Sequence, residues 1–247
     1  MRATAASPLA ILVDLDDTIL AAGQRPAVLL QIAEEQAPAL APHGAAEVAG
    51  RLEAALEQFW SDPERHKVAR FGIAEARRTV VRETFEQLEP PLRPEIADRY
   101  AERFTAVREA MTQCFPGALE GLQALRARGI KLALITNGSS ATQRAKIERF
   151  GLAGYFDHIQ IEGEAGFGKP EERAYRHAMS TLGVEPHETW IVGDHLEWEV
   201  AAPQRLGLTA VWCDGFRRGL PPQTAVTPDH IVTSLTEIVA LLASADG

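Results

Sequence analysis

Apolar residues along this chain follow two rhythms. Five short, nearly continuous runs, at 9–13, 130–136 (IKLALIT), 156–163 (FDHIQIEG), 189–194 (TWIVGD) and 209–215 (TAVWCDG), have the length of buried strands. The segments PGALEGLQALRARG, SATQRAKIERFGL, ERAYRHAMSTLG and EVAAPQRLG space their apolar residues as a helix does, and each stops at or near a glycine. Alternation of strand and helix predicts an α/β fold: a Rossmann-like parallel sheet with helices on both faces, since parallel neighbours need crossover connections. Ligands of such sheets bind at the carboxyl ends of the strands.

One stretch departs from this rhythm. Between 20 and 115 no strand pattern is visible, only helical spacing at roughly 26–39, 45–60, 73–88 and 94–114, interrupted by APHG, SDPERH and EPPLRP. The expected organisation is therefore a core built from 1–20 and 115–247, with an all-helical cap of four helices inserted at 21–114. Because the insertion begins just past the first strand, the helical module is expected over that strand's carboxyl end.

Bulk properties narrow the partners. With 247 residues and 46% hydrophobic content the chain has material for a sizeable core and a smaller second unit. A formal net charge of -9, without a long basic run, argues against nucleic acid and against anionic membrane surfaces. Cys114 and Cys213 lie far apart and outside any CxxC spacing, so neither a disulfide framework nor a zinc site is indicated. No signal-peptide pattern and no membrane-spanning run is visible, so the expected location is the cytoplasm and the expected partner a small molecule.

The run ILVDLDDTIL, 11–20, crowds Asp14, Asp16 and Asp17 at the end of a greasy segment, where like charges oppose one another's ionisation. Asp14, Asp16, Thr136, Lys169 and Asp194 each follow an apolar run or sit in the loop after it. Strands laid side by side would bring three carboxylates, a hydroxyl and an ammonium to one edge of the sheet. Oxygen-only ligands of this kind suit magnesium, whose charge would relieve the repulsion.

DLDDT at 14–18, LITNGS at 134–139, GKP at 168–170 and VGDHLEWE at 192–199 resemble the four ordered motifs of the haloacid dehalogenase superfamily, and most closely its phosphatase branch with a helical cap inserted after the first motif. The resemblance implies that Asp14 is a nucleophile forming an aspartyl-phosphate and that Asp16 is the general acid and base. It also implies that Thr136, Asn137 and Lys169 hold the phosphoryl group, and that magnesium is bound by Asp14, the main-chain carbonyl of Asp16, and Asp194. Relatives that attack carbon need no second aspartate, so Asp16 points to phosphoryl transfer. The expected activity is hydrolysis of a small phosphorylated metabolite: a sugar phosphate, another organic phosphomonoester or a nucleotide. A phosphomutase, or a binding or regulatory member with little chemistry, are the alternatives, and oligomeric state stays open.

Two positions depart from the family pattern. Trp198 and Glu199 stand where relatives commonly carry Asn-Asp; the longer Glu199 is expected behind the ion, at a metal-bound water or at Lys169. Pro203 follows where relatives tend to have a small residue. A helix beginning near Glu199 would leave Pro203 in its first turn, whereas a start one turn earlier predicts a kink. Pro170 is expected to open the next helix. Asp17 reads as a solvated or capping residue, and Arg77, Arg78 and Arg82 read as a solvated helix face.

Overall fold

Alternation along the buried strands divides the core into two layers. The computed structural model describes residues 7–245. Its strands are β1 (Ala10–Val13), β2 (Leu20–Ala21), β3 (Gln113–Cys114), β4 (Lys131–Thr136), β5 (His158–Ile161), β6 (Thr189–Gly193), β7 (Thr209–Cys213) and β8 (His230–Val232). Six of them form one parallel sheet in the order β5-β4-β1-β6-β7-β8. Ile11 and Val13 point to one face, with Leu132, Leu134 and Val192, and meet Leu122 of helix Ala118–Ala127 and Ile238 of helix Leu235–Ala245. Leu12, Ala133, Ile135 and Ile191 point to the other, against Tyr175, Ala178 and Met179 of helix Glu172–Leu182. Each such side chain, once fully buried, contributes on the order of 1.5–3 kcal/mol.

This register places the chemistry. Val13 pairs with Leu134 on one side and Val192 on the other, so β1 lies between β4 and β6. Asp14, the end of β4 at Thr136, and Asp194 thus finish three adjacent strands at the same edge.

Several sequence expectations need correction. A sixth strand, β8, extends the sheet beyond the five runs, and helix Leu235–Ala245 follows it. The helix expected to reach 114 stops at Ala110, because Gln113 and Cys114 pair antiparallel with Ala21 and Leu20. Pro170 does not open a helix: it follows a cis peptide bond in a turn, and the helix begins at Glu172.

The chain divides into two compact units, one of them the described residues up to Ala21 with those from Gln113, the other Ala22–Thr112. The second unit contains helices Arg25–Glu35, Ala45–Ser61, Ile73–Glu86 and Pro94–Ala110, packed around Leu29, Ile32, Leu52, Val81 and Phe104. Two short helices, Ala37–Leu40 and Pro63–Ala69, add to the four expected. SDPERH, read as a break, is a capped start: Asp62 accepts the Glu64 and Arg65 N–H groups at 3.0 Å, and Pro63 opens the helix. Seven residues with none buried leave no apolar periodicity to read. Arg78 and Arg82 pair with Asp98, and Arg78 also with Glu75 and Glu102, as a solvated helix face does. Among the described residues no helix is long and apolar enough to cross a membrane.

Candidate active site

Asp14 follows β1 with its N–H still bonded to the Val192 carbonyl, so its backbone is fixed by the sheet. Its carboxylate is held from two sides. Lys169 donates to Oδ1 at 2.5 Å, and the Thr18 hydroxyl donates to Oδ2 at 3.1 Å. Lys169 is itself buried; its ammonium also donates to the Ile135 carbonyl at 2.8 Å and lies 2.7 Å from Glu199 Oε1. An isolated buried ammonium would be costly, but three oxygen partners keep it charged.

The loop carrying Lys169 is clamped to the end of β4. Asn137 Oδ1 accepts the Lys169 N–H at 2.9 Å, while Asn137 Nδ2 donates to the Lys169 carbonyl at 2.7 Å. Gly168 permits this approach, since a Cβ there would stand 2.5 Å from Asn137 Oδ1. The sequence points to Asn137 through its main-chain N–H alone; its side chain is what joins the two loops.

Asp16 takes a different course. Its carboxylate turns to helix Ser140–Arg149, where Lys146 Nζ approaches both oxygens at 2.7 and 2.9 Å and Gln143 donates at 2.9 Å. Burial pushes the Asp16 carboxyl up, but Lys146 and Gln143 outweigh it and hold the group below the usual carboxylate range. Gln143 donates as well to the Thr136 hydroxyl, which ties Asp16 to Thr136. Among the described residues no three His, Cys, Asp or Glu side chains group as a metal cluster, and the Asp16 carboxylate is engaged by helix Ser140–Arg149. The charge of Asp14 acts on Asp194 and that of Asp16 acts on Asp14, while the Asp16 oxygens are bonded to Lys146 and Gln143.

Asp194, Asp14 and Glu199 share one nearby ammonium. Burial, then the charges of Asp14, Glu199 and Asp17, push Asp194 well above its ordinary value. Burial raises Asp14 to about 6 against the pull of Lys169, and burial raises Glu199 likewise. Carboxyl groups driven toward protonation indicate a local shortage of positive charge. The donor set fits magnesium, which commonly takes one or two carboxylates and completes its octahedron with water and phosphate oxygens.

Glu199 reaches Lys169 by way of a wide turn. Residues Leu196–Ala201 form a π-helix, followed by an α-helical turn, Ala202–Leu206, in which Pro203 is the second residue. Helical winding thus starts about a turn earlier than Glu199, and a π segment accommodates the proline in place of a simple kink. Glu199 Oε2 accepts the His195 N–H at 3.0 Å, leaving Oε1 toward Lys169. Gly193 makes room, because a Cβ there would stand 2.0 Å from Glu199 Cγ. His195 stacks on Trp198 with ring centroids 4.2 Å apart.

The structure thus brings Asp14, Lys169 and Glu199 into contact, joins Asn137 to the Lys169 loop, and links Thr136 to Asp16 through Gln143. Gln143 and Lys146 have no signal in the sequence beyond lying on a polar helix face, whereas Thr18 closes the DLDDT motif without a role assigned to it there.

Residues 8–207 match the family described as haloacid dehalogenase-like hydrolase. The chain is 36% identical over 180 residues to a phosphoserine phosphatase of Thermus thermophilus, a stretch covering 72% of this chain and 65% of that protein. It is 38% identical over 117 residues to the N-acylneuraminate-9-phosphatase of Rattus norvegicus, 47% of each chain. Both matches span less than two thirds of the relative's own length. In fold, the chain resembles the putative HAD-hydrolase YfnB of Bacillus subtilis, solved bound to magnesium, with a TM-score of 0.72 at 21% identity over 96% of this chain and 99% of that one.

Proposed function

The chain belongs to the haloacid dehalogenase-like hydrolase family, and from this we propose that it is a magnesium-dependent phosphatase that hydrolyses a small phosphorylated metabolite through an aspartyl-phosphate on Asp14. The observation that carries the reading is the Asp14 carboxylate itself, fixed by Lys169 and Thr18 at the end of the central strand, with a second aspartate two residues on.

In the first step an Asp14 oxygen attacks phosphorus in line, the ester P–O bond breaks, and Asp16 gives a proton to the departing oxygen. In the second, Asp16 takes a proton from water as that water attacks phosphorus and frees Asp14 with release of phosphate. Asp16 is paired with Lys146, so it serves as an acid only after Lys146 yields one of its oxygens to a proton. The Thr136 hydroxyl, the Asn137 N–H and the Lys169 ammonium would receive the phosphoryl oxygens, and donors fixed before reaction cost no reorganisation. Magnesium, held by Asp14, Asp194 and the Asp16 carbonyl, would supply the positive charge that draws two anions together.

Several features support this choice. Both curated relatives named above are phosphatases of small molecules, and Asp16 has no task in attack on carbon. Sugar phosphates, other organic phosphomonoesters and nucleotides form the substrate class. Two cysteines that remain thiols suit the cytoplasm.

Hydrolysis of an aryl phosphate tests the reading. Turnover is expected with magnesium, to cease on chelation, and to fall by about three orders of magnitude or more in Asp14→Asn, as loss of a nucleophile does. Full activity in that variant would overturn it.

A further inference from the structure

Of the ten residues in helix Ser140–Arg149, only Gln143 and Ile147 are buried. A buried primary amide is costly unless its hydrogens find acceptors. Those of Gln143 do: its Nε2 donates to Asp16 Oδ2 at 2.9 Å and to the Thr136 hydroxyl oxygen. Chemistry fixes which end of the amide faces the site, because the ionised Asp16 carboxylate only accepts and must meet the nitrogen. The Thr136 oxygen is then an acceptor toward Gln143, and its own hydrogen is left for another partner.

We propose that Gln143 is a positioning residue for phosphoryl transfer: its amide leaves the Thr136 hydroxyl hydrogen for the phosphoryl group and, with Lys146, fixes the Asp16 carboxylate. The claim rests on the phosphatase reading for what Thr136 and Asp16 do, and on these contacts for the rest. Lys146 Nζ approaches the Asp16 oxygens at 2.7 and 2.9 Å, so an amide and an ammonium three residues apart on one helix face grip a single carboxylate. Without the amide, the Thr136 hydroxyl loses the donor that sets its direction. Asp16 would keep the Lys146 contact and lose its second fixed donor.

A matched control lies on β5. Gln160 is buried as well, donates its amide to the Ala174 carbonyl at 3.0 Å and places Oε1 2.8 Å from His177 Nδ1, and neither partner belongs to the site. Methionine at either position keeps the length and flexibility of the side chain but removes the amide, and both variants should lose thermal stability. Only Gln143→Met should change the reaction.

The experiment gives the full chain, with magnesium, two esters that differ in their need for an acid. Nitrophenolate leaves readily without a proton, whereas the phenolate of phenyl phosphate, with a conjugate acid near pKa ~10, depends on one. Competitive inhibition by inorganic phosphate reads the Thr136 contribution by itself. Gln143→Met is expected to weaken that inhibition about tenfold, and to lower kcat/KM about tenfold on nitrophenyl phosphate and about a hundredfold on phenyl phosphate. Gln160→Met should match wild type throughout. Gln143→Glu keeps the shape of the side chain but accepts the Thr136 hydrogen and repels Asp16, so its losses should exceed those of Gln143→Met. If Gln143→Met does not fold, Gln143→Glu carries the test and is expected to show the same greater loss on phenyl phosphate. Equal losses on the two esters, unchanged phosphate inhibition, or the same losses in Gln160→Met would overturn the proposal. Turnover of neither ester by the wild type would instead bring down the phosphatase reading on which it rests.

Discussion

At Asp14, burial favours the protonated acid while Lys169, 2.5 Å from one oxygen, favours the carboxylate, and the balance leaves the group pushed up to about 6. A carboxyl whose value is raised by folding contributes stability that is fully present below its unfolded value near 4 and is lost as pH rises through about 6. Two units correspond to about 3 kcal/mol. Without divalent cations, wild type should therefore lose ground to Asp14→Asn by roughly that amount between about pH 4 and pH 7. Denaturant melts of both proteins across this window, with chelator, measure it; a stability difference that does not vary with pH would contradict the account. Saturating magnesium should shrink the loss, since a cation lowers the cost of ionisation. Asp14, Thr136, Lys169 and Asp194 were legible in the sequence because each closes or follows an apolar run. Gln143 and Lys146 were not, because a polar residue bonded to Asp16 and one facing water look alike on an amphipathic helix.

Where β6 meets the π-helix, a strand end and a helix start compete for the same space. Gly193 resolves the competition by having no Cβ, which lets Glu199 fold back toward Lys169. Gly193→Ala should cost more than the about 1–3 kcal/mol of ordinary overpacking, because it also pushes a buried carboxylate from its ammonium. Thermal melts with and without magnesium check this: a lower melting temperature and a smaller magnesium-induced rise are expected, and a variant matching wild type in both would be the contrary result. At this scale the sequence was partly readable. Long helices and five strands announced themselves through periodicity, whereas β8 has three residues, one of them an exposed Ile231, and carries little pattern. The π-helix was hidden for another reason. Pro203 signalled a disturbance, but a proline alone does not say whether the winding kinks or widens into a π turn.

For the molecule as a whole, alternating strands and helices specified the sheet, and the sheet specified which side chains share an edge. The order β5-β4-β1-β6-β7-β8 could not be read from any single segment, because it depends on how parallel strands choose neighbours. Substrate identity was equally illegible, since a fold does not dictate the ligand and only the site's particular contacts do. A bound cation should also stabilise the whole chain, by about 2.7 kcal/mol when magnesium exceeds its dissociation constant a hundredfold. The central claim is covalent chemistry at Asp14, and acid quenching during turnover of an aryl phosphate, followed by peptide mass analysis, tests it most directly. One added phosphoryl group on the peptide containing Asp14, absent from Asp14→Asn, is the predicted result; a phosphoryl group on another residue, or steady turnover with none trapped and Asp14→Asn still active, would contradict it.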